Sequence, residues 1–285
     1  MTELFNFVAL REGFENGLPY FDTANPRRAT IGYGFNIEVA DYLLLVLNEL
    51  GIIDDTMTAA QINARKSAFT TAINNTPHTG DRTVITQQLQ TNLNQVASQY
   101  GFTSFQLNET QGRAIFEDII TGLVIGDVTI GGKEQRLDAW LTEYNIDVAS
   151  LKGTKEYMAL TSLFYNREIA AKKDSAGNII RDEQGRRIPD SRSLIGYNLL
   201  TALENDNRAE AWYEIRYNSN GGSTRSRGIA NRRYAESDLF SLYDAGSFTP
   251  AEAKEIMRMY TKHRSTIIEY EKNYTPTFPI TDEIW

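Results

Sequence analysis

The chain has no cysteine and only two histidines, His78 and His263, among its 285 residues. Without thiols it can form neither a disulfide nor a thiolate metal site, so it can fold in a reducing cytoplasm and still work outside it. A zinc site would have to rest on carboxylates, and a Ser-His-Asp triad has few possible partners. We therefore predict no metal ion and no other cofactor.

The chain also lacks a basic surplus and a long apolar run. Its 29 Lys and Arg residues face 37 Asp and Glu residues, which gives a formal net charge of −8. Nucleic-acid-binding domains usually carry a basic balance, so we expect no nucleic-acid partner. No apolar run approaches the roughly 20 residues that a membrane-spanning helix needs, so we expect no stable membrane insertion. Residues 1–6 lack the basic and apolar segments of a signal peptide, which predicts a protein made in the cytoplasm without one.

An apolar fraction of 41% in 285 residues is typical of a soluble globular protein with one large domain or two lobes. The patterns predict a helix over 2–12, a hairpin over 18–34 and mostly helix from about residue 39. Thr58 and Asn108 each precede a glutamine at the capping-box spacing. Further helices are predicted over 155–165, 194–203, 209–217, 231–243 and 250–270. We predict an α+β fold, predominantly α-helical, without internal repeats.

Two stretches stand apart from this pattern. Residues 52–107 are rich in Thr, Gln and Asn and are interpreted as a helical insertion. Residues 172–192 contain two turn signals, Ser175 to Asn178 and Asp182 to Gly185, which predict an exposed hairpin or flap. This second stretch is either a plain surface loop or a cover over substrate. Its acidic residues do not match the spacing of a calcium loop.

Three polar residues near the start of the chain indicate chemistry. Glu12 ends the first predicted helix, Asp22 follows a short strand, and Thr30 opens the return strand. A negative charge opposes the dipole at a helix C-terminus, so a glutamate at that position points to function. Two carboxylates in different settings are what glycoside hydrolysis needs. One keeps a proton for the leaving oxygen, and the other stays ionised and activates water or takes the glycosyl centre.

At these residues the chain resembles the phage-type lysozymes, the T-even phage lysozyme family of muramidases. The family pattern is Glu-Gly after the first helix, an aromatic strand ending in Asp, and then Thr-Ile-Gly-x-Gly, which Glu12, Asp22 and Thr30 match. Later segments resemble the family as well. They are residues 108–120, 159–166 and 216–218, and residues 228–236 with the pattern Gly-x-x-x-Arg-Arg-x-x-Glu.

The chain departs from the family pattern in two respects. The spacings from Glu12 to Asp22 and from Asp22 to Thr30 are longer by one and two residues. The added residues fall near Asn16 and in the turn over 25–28, where insertions cost little. The histidine that often follows the second glycine is absent, and Phe35 stands in its place.

The resemblance implies a single, two-lobed, lysozyme-like catalytic domain over 1–285. A small hairpin lobe would span about 13–51, and a larger helical lobe would comprise about 108–285 plus the helix over 2–12. A groove between the lobes would take the glycan strand of bacterial peptidoglycan. The reaction implied is hydrolysis of the linkage between N-acetylmuramic acid and N-acetylglucosamine, without a cofactor.

The resemblance also implies residue roles. Glu12 would protonate the glycosidic oxygen, Asp22 would orient or deprotonate the attacking water, and Thr30 would help to hold that water. An arginine of the C-terminal segment, Arg232 or its neighbour Arg233, would face Glu12. Phe164, Tyr165 and Asn166, together with Arg232, are the predicted substrate-binding residues.

Such an enzyme acts on the cell wall in the periplasm or outside the cell, after release or delivery. It would be a phage endolysin or a delivered antibacterial effector, and we expect a monomer. An effector would also imply an immunity protein or a component of the delivery machine as a partner. Two other readings stay open: a lytic transglycosylase, and a non-catalytic wall-binding or structural phage protein on a lysozyme scaffold.

Overall fold

The computed structural model describes residues 2–220, 227–242 and 249–274. The chain divides into two compact units, of which unit 1 ends at Gly132 and unit 2 begins at Lys133. The predicted class, α+β and predominantly α-helical, is confirmed by the order of elements.

Unit 1 opens with helix α1 (Thr2–Glu12), and its predicted end before Gly13 is confirmed. Gly13 has a φ of +69° and donates its N–H to the carbonyl of Ala9 at 3.0 Å. Glycine enters this left-handed region without the steric cost of a Cβ, so the helix stops directly after Glu12. The other helices of unit 1 are α2 (Ala40–Glu49), α3 (Ala59–Asn74), α4 (Arg82–Gln99) and α5 (Glu109–Thr121).

A three-stranded antiparallel sheet follows α1, where a hairpin over 18–34 was predicted. Its strands are β1 (Tyr20–Phe21), β2 (Ala29–Ile31) and β3 (Phe35–Asn36), paired in that order. The predicted return strand over 30–34 is therefore too long. Gly32 and Gly34 have φ values of +61° and +79°, so the chain leaves the extended region and turns into a third strand.

A second sheet was not predicted. Strands β4 (Gly122–Ile125) and β5 (Val128–Gly131) form an antiparallel hairpin after α5. Its turn is the pair Gly126-Asp127, with β-branched residues on both sides. A two-residue turn of this kind is a local hairpin signal, but the region was predicted to be mostly helical.

The predicted insertion over 52–107 folds as helices α3 and α4, and both belong to unit 1. The predicted capping boxes at Thr58 and Asn108 are confirmed at the starts of α3 and α5. The insertion ends against the loop after α1, because Leu107 donates its N–H to the carbonyl of Gly17 at 2.9 Å.

Unit 2 is helical around one hydrophobic core, in which Leu160, Tyr217 and Tyr270 are buried. Its described helices are α6 (Lys133–Glu143), α7 (Val148–Leu151), α8 (Lys155–Asn166), α9 (Tyr197–Glu204), α10 (Arg208–Tyr213), α11 (Arg227–Phe240) and α12 (Pro250–Tyr274). The predicted helix over 209–217 differs in its second half, where Glu214–Asn218 form a π-helix. Tyr243, the last residue of the predicted helix over 231–243, lies outside the described residues.

The segment between α8 and α9 contains an eight-residue repeat, so the prediction of no internal repeat is wrong. Asp174, Asp182 and Asp190 stand eight residues apart. The Oδ1 atom of each accepts the backbone N–H two residues later. The carbonyl of each accepts the N–H three residues later. Every copy therefore contains one aspartate-stabilised turn.

The three copies are joined by a closed ring of backbone hydrogen bonds. Lys172, Ile180 and Ile188 occupy equivalent positions, again eight residues apart. Lys172 donates its N–H to Ile188, Ile188 donates to Ile180, and Ile180 donates back to Lys172, at 2.7, 3.1 and 2.9 Å. The two predicted turns are therefore part of a threefold arrangement rather than of a simple hairpin.

This repeat segment is fastened to the helices beside it. Glu143 of α6 accepts both the backbone N–H and the Nε–H of Arg187, each at 2.6 Å. The guanidinium of Arg187 also lies 4.1 Å from the ring centroid of Trp140. Arg186 donates to Glu204 of α9 at 2.6 Å. Ion pairs to α6 and α9 hold the segment against these two helices within unit 2.

Gly17 should tolerate no side chain. A Cβ at this position would lie 1.7 Å from the carbonyl oxygen of Leu107, which is backbone and cannot move aside. We expect Gly17→Ala to lower the free energy of unfolding by roughly 4 kcal/mol or more, measured by denaturant titration. Gly13→Ala is the matched control, because its φ is also positive but nothing lies within 4 Å of its Cβ. That control should cost only about 1–2 kcal/mol, and equal losses would contradict the close approach of Leu107.

Asp118 should make unit 1 less stable as the pH rises. Burial raises its pKa from 3.8 to about 6, and the charges of Glu49 and Glu117 add to the shift. The folded state then binds this proton more tightly than the unfolded state, so stability is lost as the pH rises from about 4 through 6. Asp118→Asn should therefore raise the free energy of unfolding by about 1–2 kcal/mol at pH 8, and by less towards pH 4. Denaturant titrations at both pH values measure this.

The control for Asp118 is Asp127→Asn, which removes the same charge from an exposed turn of unit 1. It should change the free energy of unfolding little at either pH. If both variants gained equally at pH 8, the gain would come from the overall negative charge and not from the burial of Asp118.

Candidate active site

Glu12 is the last residue of α1, and its partly buried carboxylate lies over the turn between β2 and β3. A Cβ built on Gly34 would lie 3.8 Å from the Oε2 atom of Glu12. In the same region Glu15 donates its N–H to the carbonyl of Gly32 at 3.3 Å. The end of α1 and this turn therefore lie side by side. The strand that carries Thr30 leads directly to the turn beneath the carboxylate.

An aromatic cluster fixes the end of α1 against the turn. The ring of Tyr33 lies 5.1 Å from that of Phe14 and 5.2 Å from that of Phe5, between centroids. The hydroxyl of Tyr33 donates to Glu109 at 3.2 Å. A Cβ at Gly112 of α5 would lie only 2.9 Å from Phe14, so a glycine is needed for this packing. Glu12 thus projects from a helix end whose position is set by packed rings.

Asp22 closes the loop between β1 and β2. Its Oδ1 atom accepts the N–H of Ala24 at 3.0 Å and that of Arg28 at 2.9 Å. Its own N–H donates to the carbonyl of Arg28 at 3.0 Å. An aspartate that bonds to the backbone two residues on is a common turn element, so this side chain has a structural role. The same bonds fix the orientation of its carboxylate.

Thr30 is buried, with 4% of its surface exposed. Its hydroxyl donates to the carbonyl of Tyr20 at 3.2 Å, across the two strands. Tyr20, Thr30 and Asn36 stand directly opposite one another in the register, so their side chains share one face of the sheet. Asp22 comes two residues after Tyr20, and its N–H still pairs with the carbonyl of Arg28, so strand alternation directs its side chain to the same side. The opposite face is apolar and buried, with Phe21, Ala29, Ile31 and Phe35.

Tyr20 also belongs to this face, and it was not predicted from the sequence. Burial raises the pKa of its hydroxyl, and the Thr30 hydroxyl lowers it. The charges of Glu15 and Asp22 raise the pKa further, whereas Arg82 lowers it. These groups therefore surround Tyr20. The two-residue spacing between Tyr20 and Asp22 in a strand is the signal that could have identified it.

The residues predicted to bind substrate belong to unit 2. Phe164 is a core residue, with 1% of its surface exposed, so it cannot line a groove. Its position in α8 directs it to the core like Leu160 and Leu163. Tyr165 is partly buried, and the ammonium of Lys133 lies 5.1 Å from its ring centroid.

Asn166 and Arg232 join one network of charged and polar side chains. Asn166 is exposed, and its Oδ1 atom accepts from Arg233 at 2.8 Å. Arg233 and Arg232 both donate to Glu236, which is fully buried. Ser162 donates to the same carboxylate at 2.7 Å. The helical spacings in Arg-Arg-x-x-Glu indicate this cluster, although no role was predicted for Glu236.

The described residues contain no group of three or more His, Cys, Asp or Glu side chains arranged to hold a metal ion. Over the same residues, no helix combines the length and the apolar character needed to cross a lipid bilayer.

Comparison with known proteins finds no match. No protein-family model matches the sequence, and no curated protein or solved structure does so either. Statements about function therefore depend on the residues described above and on their sequence pattern.

Glu236 should be essential for the stability of unit 2. Removing it would leave Arg232 and Arg233 largely buried without their shared carboxylate. Breaking a buried ion pair in this way typically costs about 3–5 kcal/mol. We expect a loss of that size for Glu236→Ala in denaturant titrations that follow tryptophan fluorescence. Arg192→Ala is the control, because this arginine is mostly exposed, and its ion pair should contribute at most about 1 kcal/mol. Similar losses from both variants would show that the buried Glu236 network contributes no more stability than an exposed ion pair.

Proposed function

We propose that the protein is a muramidase of the phage-lysozyme type. It hydrolyses the linkage between N-acetylmuramic acid and N-acetylglucosamine in bacterial peptidoglycan, with carboxylates as the catalytic groups. The proposal rests on the residues of unit 1 and on the resemblance of their sequence pattern to that family.

One observation carries the proposal. The carboxylate of Glu12 lies at the β2–β3 turn of the same small sheet whose polar face holds Thr30, with Asp22 on the same side. Two carboxylates and a hydroxyl from three separate points of the chain therefore lie around one small element. A turn aspartate alone would need neither the glutamate at the helix end nor the buried threonine.

In this mechanism Glu12 is the general acid and protonates the glycosidic oxygen as the bond breaks. Asp22 orients the attacking water or removes its proton. The two backbone N–H groups on its Oδ1 atom hold the carboxylate in one direction, and Oδ2 is the atom assigned to the water. The Thr30 hydroxyl, whose proton is directed to Tyr20, accepts a hydrogen bond from that water.

Within unit 2 alone, we also propose Tyr165, Asn166 and Arg232 as residues that contact peptidoglycan, as the resemblance to the family implies. Tyr165 offers a partly exposed ring and Asn166 an exposed amide, and both are groups that sugars contact readily. Arg233 fixes the amide of Asn166 through its bond to Oδ1.

A lytic transglycosylase is the second candidate. That chemistry uses one catalytic acid/base and takes the sugar's own hydroxyl as the nucleophile. The engagement of Asp22 and Thr30 in backbone hydrogen bonds favours this reading, because both residues have structural roles without a water. The two reactions leave different sugar ends, so the products distinguish them.

The biological setting that fits either reaction is attack on a bacterial cell wall, as a phage endolysin or as an antibacterial effector. Peptidoglycan is the proposed substrate. An immunity protein or a component of a delivery machine is a further proposed partner of an effector.

Glu12→Gln should abolish glycan cleavage and leave the thermal midpoint nearly unchanged. The amide keeps the shape of the side chain but cannot donate the acid proton. The measurement is mass spectrometry of soluble muropeptides released from purified peptidoglycan. The native chain should release products with reducing N-acetylmuramic acid ends. Products with anhydro ends would show that the enzyme is a transglycosylase and not a hydrolase.

Glu3→Gln provides the control for Glu12→Gln, because Glu3 is an exposed carboxylate on the same helix. It should release muropeptides at the native rate. Asp22→Asn should slow hydrolysis strongly. Full activity of Glu12→Gln would exclude Glu12 as the acid, and no release by the native chain would favour a binding or structural role.

A further inference from the structure

Helix α4 carries a polar residue at every fourth position, Arg82, Thr86, Gln90 and Asn94, so these side chains share one helix face. All four bond to backbone groups outside the helix. Asn94 accepts the N–H of Phe105 at 2.7 Å, and the other three bond to β1 or to the residue before it. An insertion that merely decorated the surface would not need a polar stripe of this kind.

Two bonds to β1 and one to Pro19, the residue before it, cover the edge of the sheet that β2 leaves open. Arg82 donates from Nε to the carbonyl of Phe21 at 2.7 Å, and Thr86 Oγ1 accepts the N–H of Phe21 at 3.3 Å. Gln90 donates to the carbonyl of Pro19 at 2.9 Å. Side chains of α4 thus take the place of a fourth strand.

One peptide plane of β1 is held from both sides. The carbonyl of Phe21 and the N–H of Asp22 belong to the same rigid, planar peptide unit. The carbonyl accepts from Arg82 on the outer side, and the N–H donates to the carbonyl of Arg28 on the inner side. Removing the outer bond would let this plane rotate and would move the Cα of Asp22 with it.

We propose that Arg82 is a positioning residue for Asp22, and that α4 serves the active site by holding β1 in place. This inference rests on the proposed function, because it assumes that Asp22 acts on a water at the glycan. Arg82 touches neither the glycan nor the water. It acts through the peptide that carries Asp22.

The location of Arg82 in its helix supports this role. Arg82 is the first residue of α4, after the N-cap Asp81, and a cation there opposes the helix dipole. Helix stability alone would favour a neutral or acidic residue at this position. The bond to Phe21 gives a reason for an arginine.

The test is the steady-state kinetics of Arg82→Met on soluble, uncrosslinked peptidoglycan strands, alongside the native chain. Methionine keeps most of the aliphatic stem but loses the donor and the charge. We expect kcat to fall about 10- to 100-fold with KM changed less than twofold, because a small displacement of a catalytic group is costly. The thermal midpoint should fall only modestly, because the lost hydrogen bond to Phe21 is partly offset by removal of a cation from the helix N-terminus. Arg82→Lys, which can still donate to the carbonyl, should recover much of kcat.

Thr86 provides a second, smaller test if Arg82→Met does not fold. Thr86→Val loses the acceptor for Phe21 and should lower kcat, whereas Thr86→Ser keeps it and should not. Thr91→Val is the control on the same helix, because its hydroxyl donates to the carbonyl of Gln87 within that helix. Its kcat should match that of the native chain.

Native kcat in Arg82→Met, or in Thr86→Val where only that variant folds, would overturn the inference and leave the proposed function intact. The inference would also be overturned if kcat fell as far in Arg82→Lys as in Arg82→Met, or as far in Thr86→Ser as in Thr86→Val. The loss would then not depend on the hydrogen bond. No cleavage by the native chain would overturn the proposed function and this inference with it.

Discussion

The backbone groups on the outer edge of β1 must be hydrogen-bonded, and the arrangement of unit 1 depends on how this is achieved. The strand has two residues and one neighbouring strand, so Phe21 would face solvent with an unpaired N–H and carbonyl. Helix α4 provides both partners from its side chains. The sheet is small because a helix, rather than more strands, completes it. The position of β1 then depends on a helix whose first residue, Arg82, lies 61 residues after Phe21 in the chain.

The site residues differ in how far their sequence context could predict them. Glu12, Asp22 and Thr30 were proposed as candidates because a helix end, a turn and a strand each have local signatures. Their setting in a sheet face with Tyr20 depends on register, which short strands do not reveal on their own. Arg82 could not be assigned at all, since its bond to Phe21 joins two distant segments. Phe164 was misassigned because an aromatic residue on a helix is equally compatible with a core and with a groove.

The same distinction applies to the fold. The end of α1 at Gly13 and the capping box at Asn108 depend on a few adjacent residues, and the sequence predicted them correctly. The third strand and the hairpin of β4 and β5 depend on pairing that apolar patterns describe poorly in runs of two to four residues. The π-helix at Glu214–Asn218 is likewise invisible to helical periodicity. The Arg-Arg-x-x-Glu spacing indicates that Glu236 pairs with the two arginines. The burial of these charges depends on tertiary packing, which the spacing does not show.

The ring formed by Lys172, Ile180 and Ile188 has a topological consequence. Each of these three residues uses its N–H and its carbonyl within the ring, so the array is closed and cannot grow by adding a neighbour. An ordinary strand edge can recruit another chain, but these three positions offer no backbone group for that purpose. The number of copies is thereby fixed at three by geometry, although the repeat itself is short enough to be duplicated easily. Evolution could vary the tips of the turns freely while the closed centre stays the same.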